Sequence, residues 1–166
     1  NQNDTSTGVT VDSAGNIYVV GQTSGYIPGG TFTWTFDLSS TGFLIKYNSA
    51  GTIQWTKQFG TTANDTAKAV TVDSAGDIYV TGLVYGKSLH EYEHLHRGQF
   101  HTYLIKYNSA GTRQWTRGFG SNFSNFPNGL TADSTGNIYV TGETKGALDN
   151  NTYAGDSDIY LVKYNS

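Results

Sequence analysis

The sequence predicts an all-β protein made of repeated antiparallel sheets, and three observations support this prediction. Glycine accounts for 21 of the 166 residues and aromatic residues for 14%, a mixture that suits short strands joined by tight turns. Short runs of alternating apolar and polar residues recur between glycine-bearing turns. Most importantly, one stretch of sequence returns three times at a nearly constant spacing. The length corresponds to one domain, residues 1–166.

The repeat begins with the predicted hairpin Val-Thr-Val-Asp-Ser-Ala-Gly-Asn-Ile-Tyr-Val at residues 9–19. Close matches follow at 70–80 and 130–140. The spacing is 61 residues from Asp12 to Asp73 and 60 residues from Asp73 to Asp133. The chain therefore consists of three copies of one supersecondary unit, approximately residues 1–60, 61–120 and 121–166.

The first two strands of each copy are joined by a Ser-Ala-Gly turn. In the first copy Gly15 supplies the positive φ that a tight reversal needs, because it has no Cβ. Asp12 begins the turn, and its carboxylate is expected to accept backbone N–H bonds. The second strand is predicted to end at the glycine that follows it, which is Gly21 in the first copy, Gly82 in the second and Gly142 in the third.

The third strand has the sequence Leu-Ile-Lys-Tyr, and an Asn-Ser-Ala-Gly turn separates it from a fourth strand that begins Gln-Trp-Thr and ends in Phe-Gly. The third copy stops before its fourth strand, so we expect an open sheet edge there and self-association through it. The second and third strands carry apolar residues on both faces, which indicates a sheet covered on both sides. We expect Trp115 to pack between adjacent copies.

Four-stranded antiparallel units that cover one another are typical of a β-propeller, and a closed propeller needs about four to eight of them. The string Val-Asp-Ser-Ala-Gly-Asn-Ile-Tyr-Val, followed by Leu-Ile-Lys-Tyr-Asn-Ser-Ala-Gly and Gln-Trp-Thr, resembles the bacterial SBBP β-propeller repeat. It is more distantly similar to NHL-type blades. The resemblance implies a propeller fold and a secreted or cell-surface location, and it implies no catalytic residues. Three blades are too few to close, so we expect part of a longer array or completion by another subunit.

Composition excludes several classes of function. The net charge is −3 without a cluster of Lys or Arg, which argues against a nucleic-acid partner. No apolar run is long enough to span a membrane. Because the chain has no cysteine, it forms no disulfide and no thiolate metal site. Phosphate-binding and serine-hydrolase motifs are also absent from the sequence, so we predict a protein that is not an enzyme.

A ligand is expected at the rim where the copies differ, which comprises the connections 22–42, 83–102 and 143–158. Variable loops on a rigid scaffold are where binding residues usually lie. The predicted ligand-binding residues are the aromatic side chains of these connections, which could stack on sugar rings or instead fold onto the blade below: Tyr26, Trp34, Tyr85, Tyr92 and Tyr153.

All four histidines of the chain fall in the second connection: His90, His94, His96 and His101. His90 to His94 formally matches the zinc-protease motif H-E-x-x-H, which requires a helix to place its glutamate beside the metal. No such helix is predicted, so the alternatives are a non-catalytic metal site and a loop without metal. The third connection is rich in oxygen ligands and could hold Ca²⁺, although it lacks the EF-hand order. We expect no cofactor, with Zn²⁺ or Ca²⁺ as the alternatives.

The function expected from the sequence is a non-enzymatic, secreted or cell-surface binding or adhesion module that presents its variable rim to a glycan or protein. The alternatives are a structural subunit of an extracellular filament, lattice or spacer, and a metal-binding or zinc-hydrolase activity at the histidines.

Overall fold

The computed structural model describes residues 3–27, 29–31, 40–61, 63–85, 100–148 and 151–165, and these residues form strands and turns without a helix. Three successive antiparallel sheets, here called blades 1 to 3, confirm the prediction of an all-β chain of propeller blades. The strands of blade 1 are β1 (Asp4–Val11), β2 (Ile17–Thr23), β3 (Gly30–Thr31), β4 (Thr41–Tyr47) and β5 (Ile53–Phe59). Those of blade 2 are β6 (Thr66–Val72), β7 (Ile78–Tyr85), β8 (Phe100–Tyr107) and β9 (Arg113–Phe119). Those of blade 3 are β10 (Asn125–Ala132), β11 (Ile138–Thr144) and β12 (Asp158–Tyr164).

Each blade is a meander in which sequential strands pair antiparallel. Blade 2 has the order β6-β7-β8-β9 and blade 3 the order β10-β11-β12. In blade 1 the short strand β3 adds to the outer edge, where it pairs parallel with β5 at Thr56 and Lys57. The described blades do not close into a ring, as the sequence predicts for three copies.

The turn chemistry agrees with the sequence prediction. Gly15 has φ of 79°, and the glycines of the other hairpin turns also have positive φ. One carboxylate oxygen of Asp12 accepts the backbone N–H groups of Ala14 at 3.0 Å and Asn16 at 2.8 Å. The other accepts the hydroxyl of Tyr18 at 3.0 Å. The same turn recurs at Asp73 and Asp133, so one side chain anchors each first hairpin.

The prediction that the second strand ends at Gly21 is wrong. β2 continues to Thr23, and the equivalent strands continue to Tyr85 and Thr144. A Cβ on Gly21 would lie 2.0 Å from the backbone oxygen of Thr5 on the neighbouring strand, so glycine is required there for close strand approach. The first strand carries a β-bulge at this point, between Ser6 and Gly8.

The cores lie between the blades. One cluster joins blades 1 and 2 around the buried residues Val20, Leu44, Val80 and Ile105. A second joins blades 2 and 3 around Tyr79, Leu104, Ile138, Val140 and Tyr160, and Trp115 packs against it. The expectation that Trp115 packs between adjacent copies is therefore confirmed.

Candidate functional site

The candidate site is the rim at which the second strand of each blade ends and the third begins. Because sequential strands pair antiparallel, the connections from one blade to the next also lie at this rim. Hydrogen bonds join them to the connections between the second and third strands. Asp65 N donates to Ser40 O at 2.9 Å, and Lys145 N donates to Ser124 O at 3.0 Å. The turns anchored by an Asp or Asn side chain, two in blade 1, two in blade 2 and one in blade 3, lie at the opposite end. Because strands extend further than predicted, the variable connections are shorter, and β7 reaches Tyr85 while β8 begins at Phe100.

Three aromatic side chains form a continuous row on this rim, which we call the rim aromatic row: Tyr85, Phe100 and Phe126. The ring centroids of Tyr85 and Phe100 are 4.9 Å apart, and those of Phe100 and Phe126 are 5.8 Å apart. Tyr85 is 39% exposed and the other two rings are half-buried. The row crosses from blade 2 to blade 3, so its spacing depends on the packing of two blades. Tyr85, one of the predicted ligand-binding residues, therefore belongs to an aromatic surface that is partly exposed.

Tyr26 lies on the same rim of blade 1 and is 56% exposed. The backbone beside it is fixed by Gln58, whose amide nitrogen donates to Gly25 O at 2.6 Å and to Thr41 Oγ1 at 3.1 Å. The amide oxygen of Gln58 accepts from Ile27 N at 3.3 Å. Sequence reasoning missed this role of Gln58, because blade 2 has glycine at the equivalent position and the repeat gave no signal.

Tyr153 lines a cavity of about 190 Å³ between the third connection and strand β12. Asn151 and Thr152 contribute polar walls, and Ile159 and Leu161 contribute apolar ones. Burial and the nearby carboxylates of Asp158 and Asp156 raise the pKa of Tyr153. A tyrosine phenol is protonated at neutral pH even at its ordinary pKa, so this hydroxyl can donate a hydrogen bond to a ligand.

The remaining predicted residues divide into two groups. Trp34, Tyr92, His90, His94 and His96 lie outside the described residues. The sequence places His101 in the second connection, and this prediction is wrong. His101 lies in β8, where its side chain is only 1% exposed. Its Nδ1 would be 3.4 Å from a Cβ placed on Gly120, in the junction between blades 2 and 3. His101 is thus part of the blade junction, and the described part of the chain holds no group of three side chains able to bind a metal ion.

Two buried polar residues at the blade junctions were not predicted. Asp65 is fully buried, and its carboxylate accepts hydrogen bonds from the backbone N–H and the hydroxyl of Thr61. Burial raises the pKa of Asp65 to about 6. The next junction has Asn125 at the same position, where its Oδ1 accepts from Ser121 N at 3.2 Å. The signal in the sequence was an acid or amide six residues after each Phe of the fourth strand.

The model of the SBBP β-propeller repeat matches residues 1–27, 54–83 and 114–149, more than half of the chain. The chain belongs to the SBBP family of β-propeller repeats. The second and third SBBP matches begin with the outer strand of one blade, β5 or β9, and continue through the first hairpin of the next. These two SBBP repeats therefore each join two blades.

A curated relative extends this likeness to another class of propeller repeat. The chain is 25% identical, over 138 residues, to an uncharacterised WD repeat-containing protein of Acanthamoeba polyphaga mimivirus. The alignment covers 75% of this chain and 10% of the viral protein, so the chain spans about a tenth of that relative. The SBBP family and the relative both support a scaffold of propeller repeats. Within the described ranges, no helix has the length and apolarity needed to cross a membrane.

Proposed function

We propose that this SBBP chain is a non-enzymatic binding module, secreted or at the cell surface, that holds a glycan on its variable rim. The observation that carries the proposal is the rim aromatic row, because exposed rings offer flat faces on which sugar rings stack. Tyr85 is exposed at its end, and Phe100 and Phe126 extend the surface across two blades. A row on two packed sheets is pre-organised, which lowers the entropy that binding would otherwise lose.

The polar character of the rim also supports a glycan. The cavity beside Tyr153 combines hydroxyl, amide and carboxylate groups with apolar walls, which is the mixture that small-molecule sites use for orientation and contact. Only 14% of the residues are charged. An uncharged polar surface with aromatic rings suits neutral sugars better than it suits a highly charged ligand.

The test is glycan-array binding with the 166-residue chain, followed by calorimetric titration of the best glycan. Tyr85→Ala should weaken binding about 2- to 12-fold, since one aromatic contact contributes about 0.5–1.5 kcal/mol. Ile53→Ala is the matched control, because Ile53 is 49% exposed but lies at the opposite rim. Equal losses in both variants, or no bound glycan on the array, would contradict the proposal.

A structural role is the second candidate, and the exposed outer faces of the terminal blades favour it. Val9 and Val11 are 67% and 62% exposed on blade 1, while Ile159 and Leu161 are 93% and 70% exposed on blade 3. Apolar faces of this kind mark surfaces that associate with other protein. Electron microscopy of the concentrated chain would show ordered filaments or lattices if this role is the correct one.

A further inference from the structure

The loop that leads from blade 1 to blade 2 and the loop that leads from blade 2 to blade 3 are built alike. Ala63 N donates to Thr61 Oγ1 at 3.2 Å in the first loop, and Phe123 N donates to Ser121 Oγ at 3.1 Å in the second. The two donors are 60 residues apart in the sequence, and so are the two acceptors. Each of these residues in one loop therefore has a counterpart in the other.

Three counterpart positions on the rim carry different side chains at the two junctions. The junction between blades 2 and 3 has phenylalanine at each of them, whereas the junction between blades 1 and 2 has a small or polar residue. Because the first junction forms the same strand pairs and the same loop hydrogen bond without these rings, the repeat fold does not require them. A role in binding explains the three rings better than a role in folding. The counterpart pairs are Ser40 and Phe100, Ala63 and Phe123, and Thr66 and Phe126.

Phe123 is an exposed ring on a fixed backbone. Its side chain is 57% exposed, whereas its carbonyl accepts from Asn125 Nδ2 at 2.6 Å and its N–H donates to Ser121 Oγ. Asn125 and Ser121 are themselves buried. A Cβ on Gly146 would lie 2.6 Å from Cδ2 of Phe123, so the glycine leaves the space that the ring occupies. A residue held in this way loses little conformational entropy when a ligand covers its ring.

The Phe123 loop is attached to the rim aromatic row. The residue after Phe123 is Ser124, whose hydroxyl accepts the backbone N–H of Phe100 at 3.4 Å. Three residues of extended chain span at most about 11 Å, so the Cα atoms of Phe123 and Phe126 lie within that distance of each other. The row itself extends over centroid spacings of 4.9 and 5.8 Å, each comparable to the width of one sugar ring. Two or more linked sugars are therefore needed to cover the row and Phe123 together.

We propose that Phe123 is a further stacking residue of the rim and that the ligand is an oligosaccharide of at least two linked neutral sugars, which contacts Phe123 and the rim aromatic row at once. This assignment rests on the proposed glycan-binding function and adds a minimum length to its ligand. The apolar C–H face of a sugar packs on an aromatic ring, and removing both surfaces from water stabilises the complex. Phe123 then supplies affinity that a single sugar bound on the row does not use.

The test measures how affinity depends on the length of the oligosaccharide. The 166-residue chain is titrated with three pairs of probes: glucose and cellohexaose, mannose and mannohexaose, and N-acetylglucosamine and chitohexaose. Calorimetry measures the hexamers, and NMR titration measures weakly bound single sugars. In a pair that binds, the hexamer should bind about 2- to 12-fold more tightly than the single sugar, which is the contribution of one further aromatic contact. Phe123→Ala should remove this increase and leave the affinity for the single sugar unchanged.

Two further variants serve as controls. Phe123→Tyr keeps an aromatic ring and should retain the increase, and Ile53→Ala should retain it because Ile53 is exposed at the opposite rim. Thermal unfolding followed by circular dichroism should show that both Phe123 variants fold, since the side chain is exposed. Hexamer binding that Phe123→Ala does not change, or equal affinity for a single sugar and its hexamer, would overturn this assignment and leave the glycan-binding function in place. No binding of any of the six sugars would contradict the glycan-binding function itself.

Discussion

Phe59 in β5 packs edge-on against Tyr103 in β8, with ring centroids 6.0 Å apart and ring planes at 86°. The contact joins blade 1 to blade 2, and it recurs between blades 2 and 3, where Phe119 meets Tyr160 at 5.7 Å and 86°. The same geometry at two interfaces shows that the Phe at the end of the fourth strand serves to hold the next blade. Edge-to-face pairs of this kind add to the stabilisation from apolar burial.

We therefore expect Phe59→Ala to lower the free energy of unfolding by about 3–5 kcal/mol, the range for a buried aromatic replaced by alanine. Phe59 is 7% exposed, so the substitution leaves a cavity between blades. Phe123→Ala is the control, because Phe123 is 57% exposed and should change stability by no more than about 0.5 kcal/mol. Urea unfolding followed by circular dichroism measures both. Similar values for the two variants would show that the interface does not depend on this ring.

Asp65→Asn should stabilise the chain at neutral pH. The folded-state pKa of Asp65 is about 6 and its ordinary value is 3.8, so the folded state binds more protons between these values. Stability from this group consequently rises as the pH falls from about 6 towards 3.8, and above pH 6 the buried charge is unfavourable. We expect a gain of about 1–3 kcal/mol at pH 7 and a loss of this pH dependence.

Asn125→Asp is the matched test of the same idea. It places a carboxylate where blade 3 has a buried amide, in a junction otherwise built like that of Asp65. The substitution should lower the midpoint of urea unfolding at pH 7, and the loss should shrink as the pH falls to about 4. If Asp65→Asn lowers stability at pH 7, the hydrogen bonds of the carboxylate outweigh its burial and the prediction is wrong.

Asp133→Ala should lower stability at pH 7 by removing the anchor of the first hairpin in blade 3. Hydrogen bonds from the side chains of Asn137 and Thr135 hold the pKa of Asp133 well below its ordinary value. The stability that this carboxylate provides is present above about pH 4 and is lost as the pH falls through the folded-state pKa. The difference between Asp133→Ala and the parent should therefore be smaller at pH 2 than at pH 7 in urea unfolding. Asp156→Ala, which removes an exposed carboxylate from the third connection, serves as the control, and a difference independent of pH would exclude this explanation.

The histidines of the second connection carry a prediction from the sequence alone, since His90, His94 and His96 lie outside the described residues. The metal alternative predicts that Zn²⁺ binds without hydrolysis and that binding is lost in a His94→Ala, His96→Ala double variant. Calorimetric titration at about pH 7.5, where histidine is neutral, measures both. No heat of binding in the parent would remove the metal hypothesis, and peptide cleavage that is lost in Glu91→Gln would show that the chain is an enzyme.

The sequence predicted the strands and turns best where one short segment carries all of the information. The Asp12 turn is an example, because the groups that donate to its carboxylate belong to Ala14, Asn16 and Tyr18, all within seven residues. The first half of β1 was not predicted. A bulge between Ser6 and Gly8 resets the alternation of the strand, so a period of two does not continue across it.

The site was predicted less well, because its contacts join residues that are distant in sequence. Tyr85 was identified as an exposed aromatic, but Phe126 of the same row lies on another blade and has no repeat equivalent that marks it. His101 was assigned to a loop because β8 begins earlier than the repeated Leu-Ile-Lys-Tyr segment. Burial of Asp65 depends on how two blades pack, so the acid or amide that recurs six residues after each Phe did not by itself reveal it.

The offset between SBBP repeat and blade governs how such an array can lengthen by gene duplication. Since a matched unit such as 54–83 begins with the outer strand of one sheet and ends in the second strand of the next, inserting one more unit completes an existing sheet and starts another. Whatever the number of added units, each one contributes strands to two neighbouring blades. The continuous chain within a unit therefore links those two blades covalently.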